Sequence, residues 1–303
     1  MTKQQVRSLT RLHDSGDGDA DKEKRVKFRH LCIAVVILIA AGAAPAAFFL
    51  PTGNGNVVSQ RIPTYQVEVV NKYPHDRRAF SQGLVVEGDT LIEGTGQEGE
   101  STLREVDLKT GKIKRIVRLA PSVFGEGVTV LNGKIYQLTW KHGLAYVYDR
   151  KTMKYEKALK YKGEGWGLTH DGQSLIMSNG SEYLYFLDPK DLTVLRRLKV
   201  RNGRRALDEI NELEYINGEI FANVWHDDFI YAIDPKSGKV KYKLDLRLLK
   251  PAAVRWEHES VLNGIAWEPK TKKLYVTGKD WPVLYEIKIV RPNGGGLKRP
   301  AKS

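Results

Sequence analysis

From residue 65 onward, short β-branched and aromatic runs alternate with Gly, Asp and Asn turns, and helical periodicity is hard to find. This pattern predicts an all-β body. Five stretches of it align on one another: FSQGLVVEGDTLIEGTG, FGEGVTVLNGKIYQLTW, GWGLTHDGQSLIMSNG, NELEYINGEIFANVW and LNGIAWEPKTKKLYVTGK. Their anchor positions are Gln82, Glu126, Trp166, Asn211 and Asn263, spaced by 44, 40, 45 and 52 residues. Each stretch continues into a third apolar run, at Leu103–Val106, Ala145–Tyr148, Leu184–Leu187, Ile230–Ile233 and Leu284–Ile287. In four of them an Asp-led turn follows (DLKTGK at 107, DRKTMK at 149, DPKDLT at 188, DPKSGK at 234), and then a fourth strand. Four antiparallel strands in about forty to fifty residues is the size of a propeller blade. Five such units predict a five-bladed β-propeller over 65–290.

The fifth unit lacks a fourth strand, because it ends in RPNGGGLKRPAKS. The one β-like run left over is Tyr65–Asn71 (YQVEVVN). Pairing it with the fifth unit would close the ring and remove an exposed edge.

Ahead of this body, residues 31–50 (LCIAVVILIAAGAAPAAFFL) carry no charge. Twenty residues at ~1.5 Å rise just span a ~30 Å hydrocarbon core. Lys22, Lys24, Arg25, Lys27 and Arg29 precede the run, and no charge follows until Arg61. The positive-inside rule then places the N-terminus in the cytoplasm and the propeller in the periplasm, extracellular space or secretory lumen. Ala44-Pro45-Ala46 resembles a signal-peptide cleavage site, but the apolar run exceeds a typical h-region, which favours an uncleaved anchor. The expected organisation is a basic cytoplasmic tail (1–30), a single-pass transmembrane signal-anchor (31–50), a linker (51–64), the propeller (65–290) and a basic disordered tail (291–303). The body is expected to be a monomer, with the membrane as a partner through 31–50.

The formal charge of +13 changes little once it is located. Residues 1–30 contribute +3 and residues 288–303 contribute +5, which leaves +5 for everything between. Charge concentrated at the ends marks topology signals and solvated tails, so nucleic acid is excluded as a partner. Cys32, the single cysteine, lies in the apolar segment, so the body has neither disulfides nor thiol chemistry.

In a propeller, the first strands line the central channel, so equal phase means convergence. Gln82, Glu126, Trp166, Asn211 and Asn263 are expected to form one ring at a channel mouth. A second ring follows at Gly96, Trp140, Gly180, Trp225 and Lys279, with aromatic walls and, at the glycines, an open side. Glu126 stands between Gly125 and Gly127 and is expected to carry little side-chain cover. Trp256, Trp267 and Trp281 are read as packing. His226-Asp227-Asp228 is read as an exposed polar loop in preference to a metal cluster. There is no HExxH, GxSxG or phosphate-binding glycine loop. What remains is a lone carboxylate, aromatic walls, amides and a lysine, a set suited to acid–base work on a small polar group.

The motifs PHDRRAFSQGL (74–84), FGEGVTVL (124–131), QLTW (137–140), GWGL (165–168), NELEYINGEIFANVW (211–225), LNGIAW (262–267) and VTGKDWP (276–282) resemble those of the plant-type, also bacterial, glutaminyl-peptide cyclotransferases. The resemblance covers about residues 65–290 and implies a five-bladed propeller. It also implies conversion of N-terminal glutamine of peptides and proteins to pyroglutamate with release of ammonia. It puts the catalytic carboxylate on Glu126 and substrate binding on Phe80, Gln82, Phe124, Trp140, Trp166, Asn211, Trp225 and Lys279. No cofactor or metal is implied for catalysis, and a structural divalent ion in the channel stays open. Glu98 and Glu100 stand where the family often has an aromatic and a basic residue, so a more acidic mouth is expected. Two other classes fit the residues. One is a lactonase-like propeller hydrolase holding Ca²⁺ through Glu126, Asn211 and Asn263. The other is a non-catalytic propeller that binds a partner.

Overall fold

The computed structural model describes residues 62–291, and nearly all of its regular structure is β-strand. Strand β1 (Thr64–Pro74) leads in. Unit 1 comprises β2 (Ser81–Glu87), β3 (Thr90–Thr95), β4 (Thr102–Asp107) and β5 (Ile113–Arg118). Unit 2 comprises β6 (Gly125–Leu131), β7 (Lys134–Thr139), β8 (Leu144–Asp149) and β9 (Tyr155–Lys160). Unit 3 comprises β10 (Leu168–His170), β11 (Leu175–Met177), β12 (Tyr183–Leu187) and β13 (Val194–Lys199). A small hairpin follows, β14 (Arg201–Asn202) with β15 (Arg205–Ala206). Unit 4 comprises β16 (Ile210–Ile216), β17 (Glu219–Val224), β18 (Phe229–Ile233) and β19 (Val240–Asp245), and unit 5 comprises β20 (Leu262–Glu268), β21 (Lys273–Gly278) and β22 (Val283–Val290).

Units 1, 2 and 3 are separate four-stranded antiparallel meanders. Unit 5 acquires its fourth strand from β1, which pairs antiparallel with β22, setting Val67 opposite Ile289 and Val69 opposite Ile287. The strand starts inside the expected linker and continues past Asn71 to Pro74. Its other edge meets β19 in parallel, Tyr65 opposite Leu244, so units 4 and 5 share one eight-stranded sheet.

The first strands are buried almost throughout, whereas the fourth strands β5, β9 and β13 are largely exposed. The first strands also touch in sequence: β2 with β6, β6 with β10, β10 with β16, β16 with β20, and β20 with β2. The apolar core is divided in the same way. Each of five clusters bridges two consecutive units, for instance Ile92 and Leu103 with Val128 and Ile135, or Leu84 and Leu91 with Ala266 and Tyr275 across the last and first units. Each buried Leu, Ile or Val contributes roughly 1.5–3 kcal/mol, so the stability of the fold lies between sheets.

The Asp-led turns behave as their sequences require. Asp107, Asp149, Asp188 and Asp234 accept hydrogen bonds from backbone N–H groups two or three residues on. Four residues after each Asp the backbone is left-handed, at Gly111, Met153, Leu192 and Gly238 (φ 68°, 53°, 65° and 71°). Met153 and Leu192 adopt this costly conformation because their side chains are buried in the core.

The expected tail 1–30, anchor 31–50, most of the linker 51–64 and the C-terminal tail from 292 lie outside the described residues. Among the described residues no helix is long and apolar enough to cross a membrane.

Candidate active site

The N-terminal ends of the first strands converge on a cavity of about 250 Å³. It is lined by Phe80, Gln82, Phe124, Glu126, Trp140, Trp166, Asn211, Trp225 and Lys279, with Gln97 and Glu259 added at its edge. The expected catalytic carboxylate and the eight expected substrate-binding residues therefore reach one cavity, whereas Asn263, the fifth anchor, does not line it.

Glu126 lies second in β6 and is 4% exposed. The light cover expected from its flanking glycines is not what the fold provides, and neither glycine has positive φ. A Cβ on Gly127 would stand 2.5 Å from the Leu168 nitrogen and 2.6 Å from the Trp166 oxygen. Gly127 N–H donates to that same oxygen at 2.7 Å. The glycine admits the neighbouring unit's backbone, and the carboxylate is buried by that approach. The glycines of the second ring differ from expectation in the same way. A Cβ on Gly96 would lie 2.3 Å from Phe124 Cε1, and one on Gly180 would lie 2.7 Å from Trp166 Cζ2. They are seats for two wall aromatics and leave no open side.

Three anchors form a hydrogen-bonded chain. Asn263 Nδ2 donates to Gln82 Oε1 at 3.0 Å, which orients the amide so that Gln82 Nε2 donates to Glu126 Oε1 at 3.2 Å. Glu126 Oε2 has no protein partner and is buried, as are Asn211 Oδ1 and Asn263 Oδ1. Burial pushes the Glu126 pKa well above the ordinary carboxylate value; Lys279 opposes the shift and Glu164 adds to it. Lys279, which follows β21, is 5% exposed, with Nζ 4.7 Å from the Phe80 ring centroid. Burial lowers its pKa, and Glu126 is the chief group opposing that.

The walls are an aromatic belt. Phe80 meets Phe124 edge-on at 6.1 Å, Phe124 meets Trp140 at 5.5 Å, and Trp166 meets Trp225 at 6.0 Å. Glu164 joins the two halves, accepting from Trp140 Nε1 at 2.8 Å and Trp166 Nε1 at 3.0 Å. Sequence reasoning missed Glu164 because it belongs to no equal-phase ring; its only signal is its place two residues before Trp166. Gln97 and Glu259 were missed for the same reason, since both are loop residues. Glu98 and Glu100 are exposed beside Gln97.

The other tryptophans divide. Trp281 is fully buried and donates to Ser260 O at 3.0 Å, as packing requires. Trp267 is half-buried against the core. Trp256 is 92% exposed, so the packing expectation fails there. Asp227 serves its own turn, accepting from Phe229 N–H and from Tyr231 Oη at 2.7 Å.

A larger cavity of about 760 Å³ lies at the C-terminal ends of the same five strands, beside Val86, Thr129, Thr169, Glu214 and Trp267. Burial raises Glu214 to about 8, but both its oxygens are used: Trp267 N–H donates to one at 2.9 Å and Thr169 Oγ1 to the other at 3.2 Å. That end has Tyr215 and Trp267 on its wall but no buried, unpartnered carboxylate oxygen among its lining residues, so the smaller cavity is where chemistry can occur. Its contents, one acid with a free oxygen, one cation and amides inside an apolar wall, suit proton transfer to and from a small polar group.

Comparisons with known proteins agree on one relationship. A family model described as glutamine cyclotransferase matches residues 35–289. A glutaminyl-peptide cyclotransferase of Arabidopsis thaliana is 38% identical over 272 residues, covering 86% of this chain and 84% of that protein. The crystal structure of Myxococcus xanthus glutaminyl cyclase superimposes with a TM-score of 0.72 at 34% identity, covering 76% of this chain and 98% of that one.

Proposed function

This chain belongs to the glutamine cyclotransferase family and is a glutaminyl-peptide cyclotransferase; within that reaction, we propose that Glu126 carries the proton. The α-amine nitrogen of the substrate's N-terminal glutamine attacks its own γ-amide carbon. A C–N bond forms and closes the five-membered ring, then the bond to the amide nitrogen breaks and ammonia leaves. The attacking nitrogen must lose a proton and the departing nitrogen must gain one. A single carboxylate beside both can move it. Ring closure is intramolecular, so much of the entropic cost is already met by the substrate.

The single observation that carries this reading is Glu126 Oε2, a buried carboxylate oxygen without a protein partner. The raised pKa brings the acid nearer the operating pH, where transfer in both directions is efficient. Lys279 stabilises the developing oxyanion, since it is the buried cation of the cavity. Gln82 holds the carboxylate in place, and the indoles of Trp140, Trp166 and Trp225 grip the side chain and exclude water. Proton transfer by this set needs no metal.

Full-length protein incubated with a Gln-initiated peptide is expected to remove one ammonia from it by mass spectrometry, with equal turnover in EDTA. An unchanged peptide mass overturns the reading. Turnover that is lost in EDTA and restored by Ca²⁺ overturns the metal-free mechanism and puts an ion on Glu126, Asn211 and Asn263.

We propose two further features of this protein. The units close as a five-bladed β-propeller, supported by the cyclic contacts of the first strands and the five inter-unit core clusters. Residues 31–50 anchor a monomeric body outside the cytoplasm, supported by the uncharged run and the basic residues before it. Protease added to spheroplasts or to correctly oriented sealed vesicles should reach the body and spare the basic N-terminal tail.

A further inference from the structure

At the rim of the cavity two loops bring three metal-ligating side chains together. His226 follows β17, and His258 and Glu259 stand in the loop between β19 and β20. One ligand atom from each lies within 4.8 Å of the others, the only such group among the described residues. His226 Nε2 is 3.8 Å from Glu259 Oε1, and His258 Nδ1 is 2.8 Å from the same oxygen. Donor atoms around a tetrahedral Zn²⁺ stand about 3.3 Å apart, as bond lengths of roughly 2.0–2.2 Å require. The two observed separations bracket that value, so small rotations complete the geometry.

The arrangement is held by the fold. His226 takes a left-handed backbone conformation (φ 58°), which is uncommon outside glycine. Its ring is flanked by Trp225 and His258, tilted by 46° and 47° with both centroids 4.5 Å away. All three residues are exposed, so an ion in solution reaches them directly. Two imidazoles and one carboxylate suit Zn²⁺, Ni²⁺ or Cu²⁺, whereas Mg²⁺ and Ca²⁺ prefer oxygen ligands throughout.

We propose that His226, His258 and Glu259 bind a divalent transition-metal ion of the Zn²⁺ class at the mouth of the cavity, and that its occupancy restrains turnover. Glu259 lines the cavity beside Lys279 and Trp225. A substrate α-amine has a pKa of about 7.7–8.0 and arrives largely as a cation near neutral pH. A dication on Glu259 removes the local negative charge and repels that cation, so the effect falls on KM. The restraint rests on the cavity being the substrate site, whereas the metal site itself does not.

The test is calorimetric titration of chelator-treated full-length protein with ZnCl₂, comparing wild type with His258→Ala and with the His226→Ala/His258→Ala double variant. Wild type should bind one more saturable equivalent than the double variant, and His258→Ala should weaken that equivalent at least tenfold. Equal stoichiometry and affinity in all three proteins, as for a hydrogen-bonded surface cluster, overturns the site. In kinetics with a Gln-initiated peptide, Zn²⁺ should raise KM severalfold in wild type, reversibly with EDTA, and leave the double variant unaffected. Metal-free His258→Ala should turn over at the wild-type rate. An extra equivalent without a change in KM keeps the site and refutes its control of turnover. Failure of the metal-free enzyme to cyclise the peptide refutes the assigned reaction, and the calorimetry still decides the metal site.

Discussion

The same five strands end in two cavities, and the larger one is chemically quiet. At the C-terminal ends, Glu214 is half-buried where Glu126 is buried, and it spends both oxygens on Trp267 N–H and Thr169. At the N-terminal ends, Glu126 Oε2, Asn211 Oδ1 and Asn263 Oδ1 are buried without protein partners. Each unsatisfied buried group costs about 1–3 kcal/mol. Glu212 Oε1 and Asn223 Nδ2 carry the same cost without lining either cavity, and among the lining residues the cost falls on the smaller cavity alone. That asymmetry locates the chemistry better than cavity volume does. A substrate rich in N–H donors would supply what Glu126 Oε2 and Asn211 Oδ1, on the cavity wall, lack.

The sharpest way to break the comparison is to make the same change at both ends. Glu126→Gln should lower kcat by about 10²–10⁴ while the protein stays folded, because the amide cannot accept the proton. Glu214→Gln should leave kcat within about twofold. Equal losses in steady-state assays would refute the distinction. Lys279→Met should lower kcat by roughly 10²–10³ through loss of oxyanion stabilisation. Lys270→Met, on the larger cavity, should not change it measurably.

Glu164→Gln weakens two charge-assisted hydrogen bonds to the indoles, and KM should rise about tenfold with little change in kcat. It also removes a negative charge that raises the Glu126 pKa, so the acid limb of kcat/KM should move to lower pH. A KM effect without that movement would mean that Glu164 only packs the wall.

The smallest effect concerns stability. Glu214, raised to about 8 in the folded protein, holds a proton that the unfolded chain releases near 4.5. The folded state therefore binds more protons between these values, and stability falls as pH rises through that window. Glu126 and Glu212, also raised by burial, contribute with the same sign. Glu214→Gln should flatten part of the decline in Tm between about pH 4.5 and 8. An unchanged slope would show that Glu214 is ionised in the fold.

Repeat phase made much of this legible from sequence. Aligning the five stretches gave one phase to Gln82, Glu126, Trp166, Asn211 and Asn263. Four lie on first strands, Trp166 stands two residues ahead of β10, and all nine expected catalytic and substrate-binding residues reach one cavity. Phase carries no information about how strands approach each other. Gly96, Gly125, Gly127 and Gly180 therefore looked like openings when they admit neighbouring backbone, side chains and aromatic rings. Loop residues have no phase at all, which hid Glu164, Gln97 and Glu259. The exposed Trp256 shows that residue type alone does not fix burial.

The central claim is that a buried, proton-binding Glu126 drives cyclisation, and its protonation can be followed directly. Infrared difference spectra of wild type minus Glu126→Gln isolate the carboxyl band, which is titrated alongside kcat/KM for a Gln-initiated peptide. The account predicts a midpoint well above the ordinary 4.5, with kcat/KM rising as the acid ionises. A midpoint at the ordinary value, or near wild-type cyclisation by Glu126→Gln, would contradict it.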